Sequence, residues 1–182
     1  MFSLSDGELT LSARRGDVEA FGELVRRHQT SVYNVCYRLS GERREAEDLT
    51  QEAFVRAFQR LDHFDVERPF GPWIRRVAAN LCINRLQMSR DIGLCLDDES
   101  DEPVEAGSNN PETIQERIES AEALRAAVLS LPPAYRTVIE LRHFHDLPYM
   151  EIADQLGIPL SAVKSHLFRA RRLLAEKMRP DE

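Results

Sequence analysis

Apolar residues in the first half of the chain recur at intervals of three, four and seven, the period of a helix with one buried face. Asp17-Val18-Glu19-Ala20-Phe21 leads into Leu24, Val25, His28, Val32, Val35 and Leu39, which predicts one amphipathic helix that Gly41 ends. A second helix is predicted from Glu45 to Leu61, its first turn holding acids where the helix dipole favours them. Pro69 and Pro72 punctuate the next connection, after which Trp73, Ile74, Val77, Ala78, Leu81 and Leu86 mark a third helix to about Ser89, with Val77, Ala78 and Leu81 facing inward. No segment alternates as a strand does, so the expected fold class is all-α.

From Asp91 to about Arg117 the pattern collapses into acidic and turn-forming residues, too poor in apolar side chains to fold alone. The periodicity then returns. Ile118, Ala121, Leu124 and Val128 share a face, Leu131-Pro132-Pro133 stops it, and Tyr135 to Phe144 predicts another helix. The organisation expected is therefore two small helical domains, 1–90 and 119–182, joined by a flexible acidic linker, 91–118.

Within the second block, Pro148 opens a stretch with a specific pattern. Ala153 is small where two helices would cross, Gly157 supplies a left-handed turn residue four positions later, and Ile158, Val163 and Leu167 cover the joint. This is a helix-turn-helix pattern, with Pro159 ending the turn and Ser161 as the expected N-cap of the second helix. That helix carries Lys164, Arg169, Arg171, Arg172, Lys177 and Arg179 against the single acid Glu176, a stripe suited to phosphate and major-groove contact. Side chains near the start of such a helix reach base edges, so Lys164, Ser165, His166 and Phe168 are the candidate readers, with Arg169, Arg171 and Arg172 on the backbone.

Charge first seems to contradict this, because the net charge is −7 and phosphate contacts demand a basic surface. Its distribution resolves most of the conflict. Residues 1–90 carry 14 basic and 13 acidic side chains, 91–118 carry 1 and 9, and 119–182 carry 9 and 9, so the excess lies in the linker. No apolar run reaches the roughly 20 residues that cross a bilayer, and the N-terminus lacks the basic start and apolar core of a signal peptide, so the cytoplasm is expected. Cys36, Cys82 and Cys95 show no CxxC spacing, which predicts reduced thiols, Cys82 on the buried side of its helix. His143 and His145 with Asp146 form a lone metal-like grouping without further ligands, and no catalytic constellation is legible. Metal, cofactor and small-molecule substrate are all expected to be absent.

Two further stretches carry a resemblance. Residues 48–58, Asp48-Leu49-Thr50-Gln51-Glu52-Ala53-Phe54-Val55-Arg56-Ala57-Phe58, resemble region 2.2 of sigma-70-family proteins. Residues 70–84, from Phe70-Gly71-Pro72-Trp73 to Ile83-Asn84, resemble regions 2.3 and 2.4, and the helix-turn-helix resembles region 4.2. With no region 3 between them, the chain is similar over roughly residues 5–178 to the extracytoplasmic-function (ECF) subgroup of sigma factors. The loop Asp65-Val66-Glu67-Arg68-Pro69 departs from the Gly/Ser-rich segment usual there.

The resemblance implies a factor that binds core RNA polymerase through its largest subunit's clamp helices and flap and that confers promoter specificity without catalysing anything. It implies core docking by Asp48, Gln51, Glu52 and Arg56, a polar stripe opposite Leu49, Ala53 and Phe54. It implies capture of the −10 element as single strand by Trp73, Arg76, Asn80 and Asn84, because Asn offers donor and acceptor to an exposed base edge and an indole stacks on it. Reading of the −35 element then falls to the helix-turn-helix, and an anti-sigma factor is the expected controlling partner. A free-standing helix-turn-helix regulator is the alternative, and would predict dimer symmetry and tight duplex binding without polymerase.

Overall fold

The computed structural model describes residues 4–89 and 114–178, with the side chains of 89 and 114–120 left aside. Among the described residues every regular element is helical. The chain divides into two compact units, Met1–Ser89 and Arg90–Glu182, each with its own core.

In the first unit, α1 (Asp6–Arg14), α2 (Val18–Ser40), α3 (Arg43–Gln59) and α4 (Phe70–Ser89) pack as a bundle, with a short 3₁₀ turn at Leu61–His63. Helix α1 was not expected from periodicity. It is specified by a capping box, in which the Ser5 hydroxyl accepts from the Glu8 amide and the Glu8 carboxylate accepts from the Ser5 amide, and these bonds hold the exposed Glu8 carboxyl below its usual range. It is then tied down from outside, because Arg14 donates to the carbonyls of Leu61 and Phe64.

Helix α2 begins at Asp17, whose side chain accepts from the Ala20 amide at 3.1 Å, and ends at Gly41 with φ 77°. A left-handed residue is required there, and glycine adopts it without a Cβ clash. Leu24, Val32, Val35, Cys36 and Leu39 of α2 meet Ala46, Leu49, Ala53, Phe54 and Ala57 of α3 and Ile74, Ala78, Leu81, Cys82 and Ile83 of α4. Helix α3 starts two residues before the expected Glu45, and α4 starts at Phe70 rather than Trp73. Pro72 therefore lies inside the first turn of α4, where a missing N–H costs nothing because that turn's amides have no intrahelical partner. Val77 is only half-buried, in contrast to its expected inward position.

The second unit consists of α5 (Ile114–Leu129), α6 (Pro133–Ile139), a π turn at Glu140–Phe144, α7 (Tyr149–Leu156) and α8 (Leu160–Lys177). Helix α5 starts inside the stretch expected as linker, while 91–113 and Arg179 lie outside the described residues. The segment expected as one helix from Tyr135 to Phe144 starts at Pro133 and widens to the π turn after Ile139. Leu131, Val138, Leu141, Ile152, Val163, Leu167 and Ala170 fill the core.

Candidate nucleic-acid and partner interfaces

The joint between α7 and α8 is set by Gly157, at φ 66°, with Ile158 donating to the Ala153 carbonyl at 3.1 Å. Ala153, Val163 and Leu167 are buried against one another's helices and Ile158 is half-buried, as the turn pattern requires. Ser161 is not the cap. Pro159 holds that position in extended geometry, φ −60° and ψ 150°, so Leu160 is the first helical residue and the exposed Ser161 is the second.

On α8, Lys164, Arg171 and Arg172 are exposed, and Ser165, Phe168 and Arg169 are half-exposed. Arg172 lies 3.5 Å from Glu176, and Arg171 reaches His143 of the π turn at 3.4 Å. His166 is a correction to the reading face. It is 7% exposed, its Nδ1 is 2.7 Å from the Ala162 carbonyl, and its ring lies 5.4 Å from that of Tyr135 on α6. Its place on the helix, three residues after Val163 and four before Ala170, puts it on the core stripe rather than the solvent face.

On α3, Asp48 and Gln51 are exposed while Glu52 and Arg56 are half-exposed, opposite the buried Leu49, Ala53 and Phe54. Glu52 accepts from Arg56 at 2.7 Å and from Arg85 of α4 at 3.2 Å, so one carboxylate joins the polar stripe to the next helix. Sequence reasoning missed Val55 and Phe58, which are 56% and 48% exposed on the same helix. Their signal was an apolar residue off the buried stripe; Phe58 rests edge-on against Phe21 with ring centroids 4.9 Å apart.

On α4, Arg76, Asn80 and Asn84 are exposed and four residues apart, which aligns them along one face. Trp73 heads the same helix, half-buried in a cluster with Phe64 at 4.6 Å and Phe70 at 5.4 Å. The geometry brings the residues of each expected surface together except His166. Trp73 belongs as much to the packing as to the surface.

The two histidines of the metal-like grouping go to different partners. His145 pairs with Glu140 at 3.2 Å, both side chains almost fully buried, whereas His143 is exposed toward Arg171. Among the described residues no group of three His, Cys, Asp or Glu side chains is placed to hold a metal, and no helix is long and apolar enough to cross a membrane. Cys36 and Cys82 are buried and not joined in a disulfide, and Cys95 lies outside the described residues.

Residues 24–91 match the family model for sigma-70 region 2, and residues 121–174 match that for sigma-70 region 4. The chain is 35% identical over 173 residues to the ECF RNA polymerase sigma factor SigW of Bacillus subtilis, covering 91% of this chain and 92% of that protein. It is 33% identical to the ECF RNA polymerase sigma-E factor of Escherichia coli, covering 97% and 96%. Among solved structures it is similar to CnrH, solved in complex with the cytosolic domain of CnrY, with 26% identity, TM-score 0.53 and coverage of 94% and 95%. It also shares the fold of the sigma factor RpoE of Bartonella quintana, solved in complex with the anti-sigma factor NepR, at 21% identity, TM-score 0.53 and coverage of 89% and 98%.

Proposed function

The chain belongs to the sigma-70 family of RNA polymerase sigma factors, in its ECF subgroup, and from that premise we propose how its two units divide the work. The chain binds core RNA polymerase and directs promoter-specific transcription initiation. The first unit, 1–90, docks on core through the α3 stripe of Asp48, Gln51, Glu52 and Arg56, and holds the −10 element as single strand along Trp73, Arg76, Asn80 and Asn84. The unit 119–182 reads the −35 duplex with Lys164, Ser165 and Phe168, while Arg169, Arg171 and Arg172 take phosphates. The segment 91–118 tethers the two, the protein works in the cytoplasm, and it catalyses no reaction itself.

The observation that carries this reading is the α4 face, where Arg76, Asn80 and Asn84 stand exposed in register beside the Trp73 aromatic cluster. Amides and a guanidinium at that spacing suit the base edges and phosphates of an unstacked strand. An anti-sigma factor controls the chain by covering the α3 stripe and the α8 face, the surfaces that core docking and −35 reading require. The test is run-off transcription with purified core polymerase. Specific transcripts that require the chain are expected; a chain that binds its promoter tightly but elicits no transcript from core is a free-standing regulator instead.

A further inference from the structure

Beside α8, cationic chemistry converges from two elements. Arg142 and His143 lie in the π turn Glu140–Phe144, and Arg171 lies on α8. Arg171 Nη2 lies 3.4 Å from His143 Nε2, a contact in which only a neutral imidazole can accept from the guanidinium, and both side chains are exposed. Arg142 is held in place from the other side. Its Nη1 donates to the Leu147 carbonyl at 3.2 Å, and its guanidinium stands 5.3 Å from the Tyr149 ring centroid.

Partial burial, then the Arg171 and Arg142 charges, hold His143 below the ordinary histidine range, while Asp146 in the loop before α7 pulls the other way. Arg136 of α6 is engaged with the Leu129 carbonyl, and the buried His145 is paired with Glu140. The contact thus places one guanidinium and a protonatable ring together, with the Arg142 charge near enough to bear on that ring. An anion bound among them would be met by Arg171 directly and would convert His143 from an acceptor of Arg171's hydrogen into a second cationic donor.

We propose that His143 and Arg171 together hold one phosphate of the duplex backbone beside the −35 element, and that binding there is coupled to uptake of one proton from solvent by His143. The inference rests on the reading of α8 as the −35 helix. The sign follows from the direction of titration. A phosphate beside the ring raises the bound-state value above that of the free chain, so affinity grows as pH falls through the bound value and levels off below the free one, which lies below the ordinary histidine range.

Holoenzyme reconstituted from the full chain and core polymerase is titrated with a promoter fragment that supports run-off transcription, at pH 6 and pH 8 and across salt. The wild type is compared with His143→Gln, which keeps the acceptor but cannot take a charge, and His143→Lys, which is always charged. Core polymerase's own titration is common to all three and cancels. The affinity of wild type relative to His143→Gln is expected to rise on acidification, by at most about tenfold per pH unit. At pH 6 the wild-type salt slope should exceed that of His143→Gln, by up to about 0.9, and His143→Lys should show the steeper slope at both pH values. Wild type and His143→Gln that track each other at both pH values, or a His143→Lys slope equal to that of His143→Gln, would overturn the proposal. If no variant gives specific holoenzyme binding, the reading of α8 itself fails.

Discussion

Asn80 and Asn84 repeat at an interval of four on the exposed side of α4, while their neighbours Ala78, Ala79, Leu81, Cys82 and Ile83 are buried. Truncating either amide removes donors and acceptors from the surface without opening a cavity in the core. Asn80→Ala and Asn84→Ala should each impair promoter opening and leave core binding nearly intact, as followed by permanganate footprinting beside a core-binding assay. Normal opening in both variants would remove the −10 assignment. On α8 two neighbouring residues have opposite fates. Lys164→Ala should shift preference at the −35 element with little effect on melting, because its side chain is exposed. His166→Ala should instead destabilise the fold by about 1–3 kcal/mol, since it strips a buried ring from Tyr135 and a hydrogen bond from the Ala162 carbonyl. Thermal melting separates the two; a His166→Ala protein that melts normally but misreads the element would restore His166 to the reading face.

At the scale of the helix, α3 presents one buried apolar stripe and one polar stripe flanked by Val55 and Phe58. A face of that mixed kind suits a partner more than solvent alone, because two large apolar side chains stand on it beside charges. Charge reversal at Asp48 tests the assignment more cleanly than at Glu52, whose carboxylate also bridges Arg56 and Arg85. Exposed pairs of that kind contribute about 0–1 kcal/mol, so the fold tolerates either change. Asp48→Lys is expected to weaken association with core polymerase at least tenfold while the melting temperature barely moves. A large drop in melting temperature with unchanged core affinity would make the stripe a structural feature.

For the whole molecule, the acidic excess of residues 91–118 sits between the two units that the proposed function brings to DNA. In the isolated chain the carboxylates between the two units repel duplex phosphate wherever both units are brought to one promoter. A large partner that covers the acidic segment removes that cost. Mobility shift with the isolated chain should therefore give weak, salt-sensitive binding, and the addition of core polymerase should give specific binding. Nanomolar, sequence-specific duplex binding by the chain alone at physiological salt would instead favour a free-standing regulator.

Helical periodicity, the Gly41 stop, the Gly157 turn and the acidic middle segment are all legible in the sequence, because each depends on local backbone preference or on counting charges along the chain. The polar stripe of α3 and the Arg76, Asn80, Asn84 row follow from spacing alone for the same reason. Helix α1 was not legible from periodicity, since its short apolar stripe is weak and its hold on the bundle runs through Arg14 to carbonyls some 50 residues away. Pro159, rather than Ser161, starts α8 because the chain leaves Gly157 in extended geometry, a choice made by the packing of α7 on α8. His166 shares the helical spacing of Val163 and Ala170, and Tyr135, approaching from α6, covers that face and turns a candidate reader into core. Spacing tells which residues share a face of a helix, whereas only the neighbouring helices determine which face water keeps.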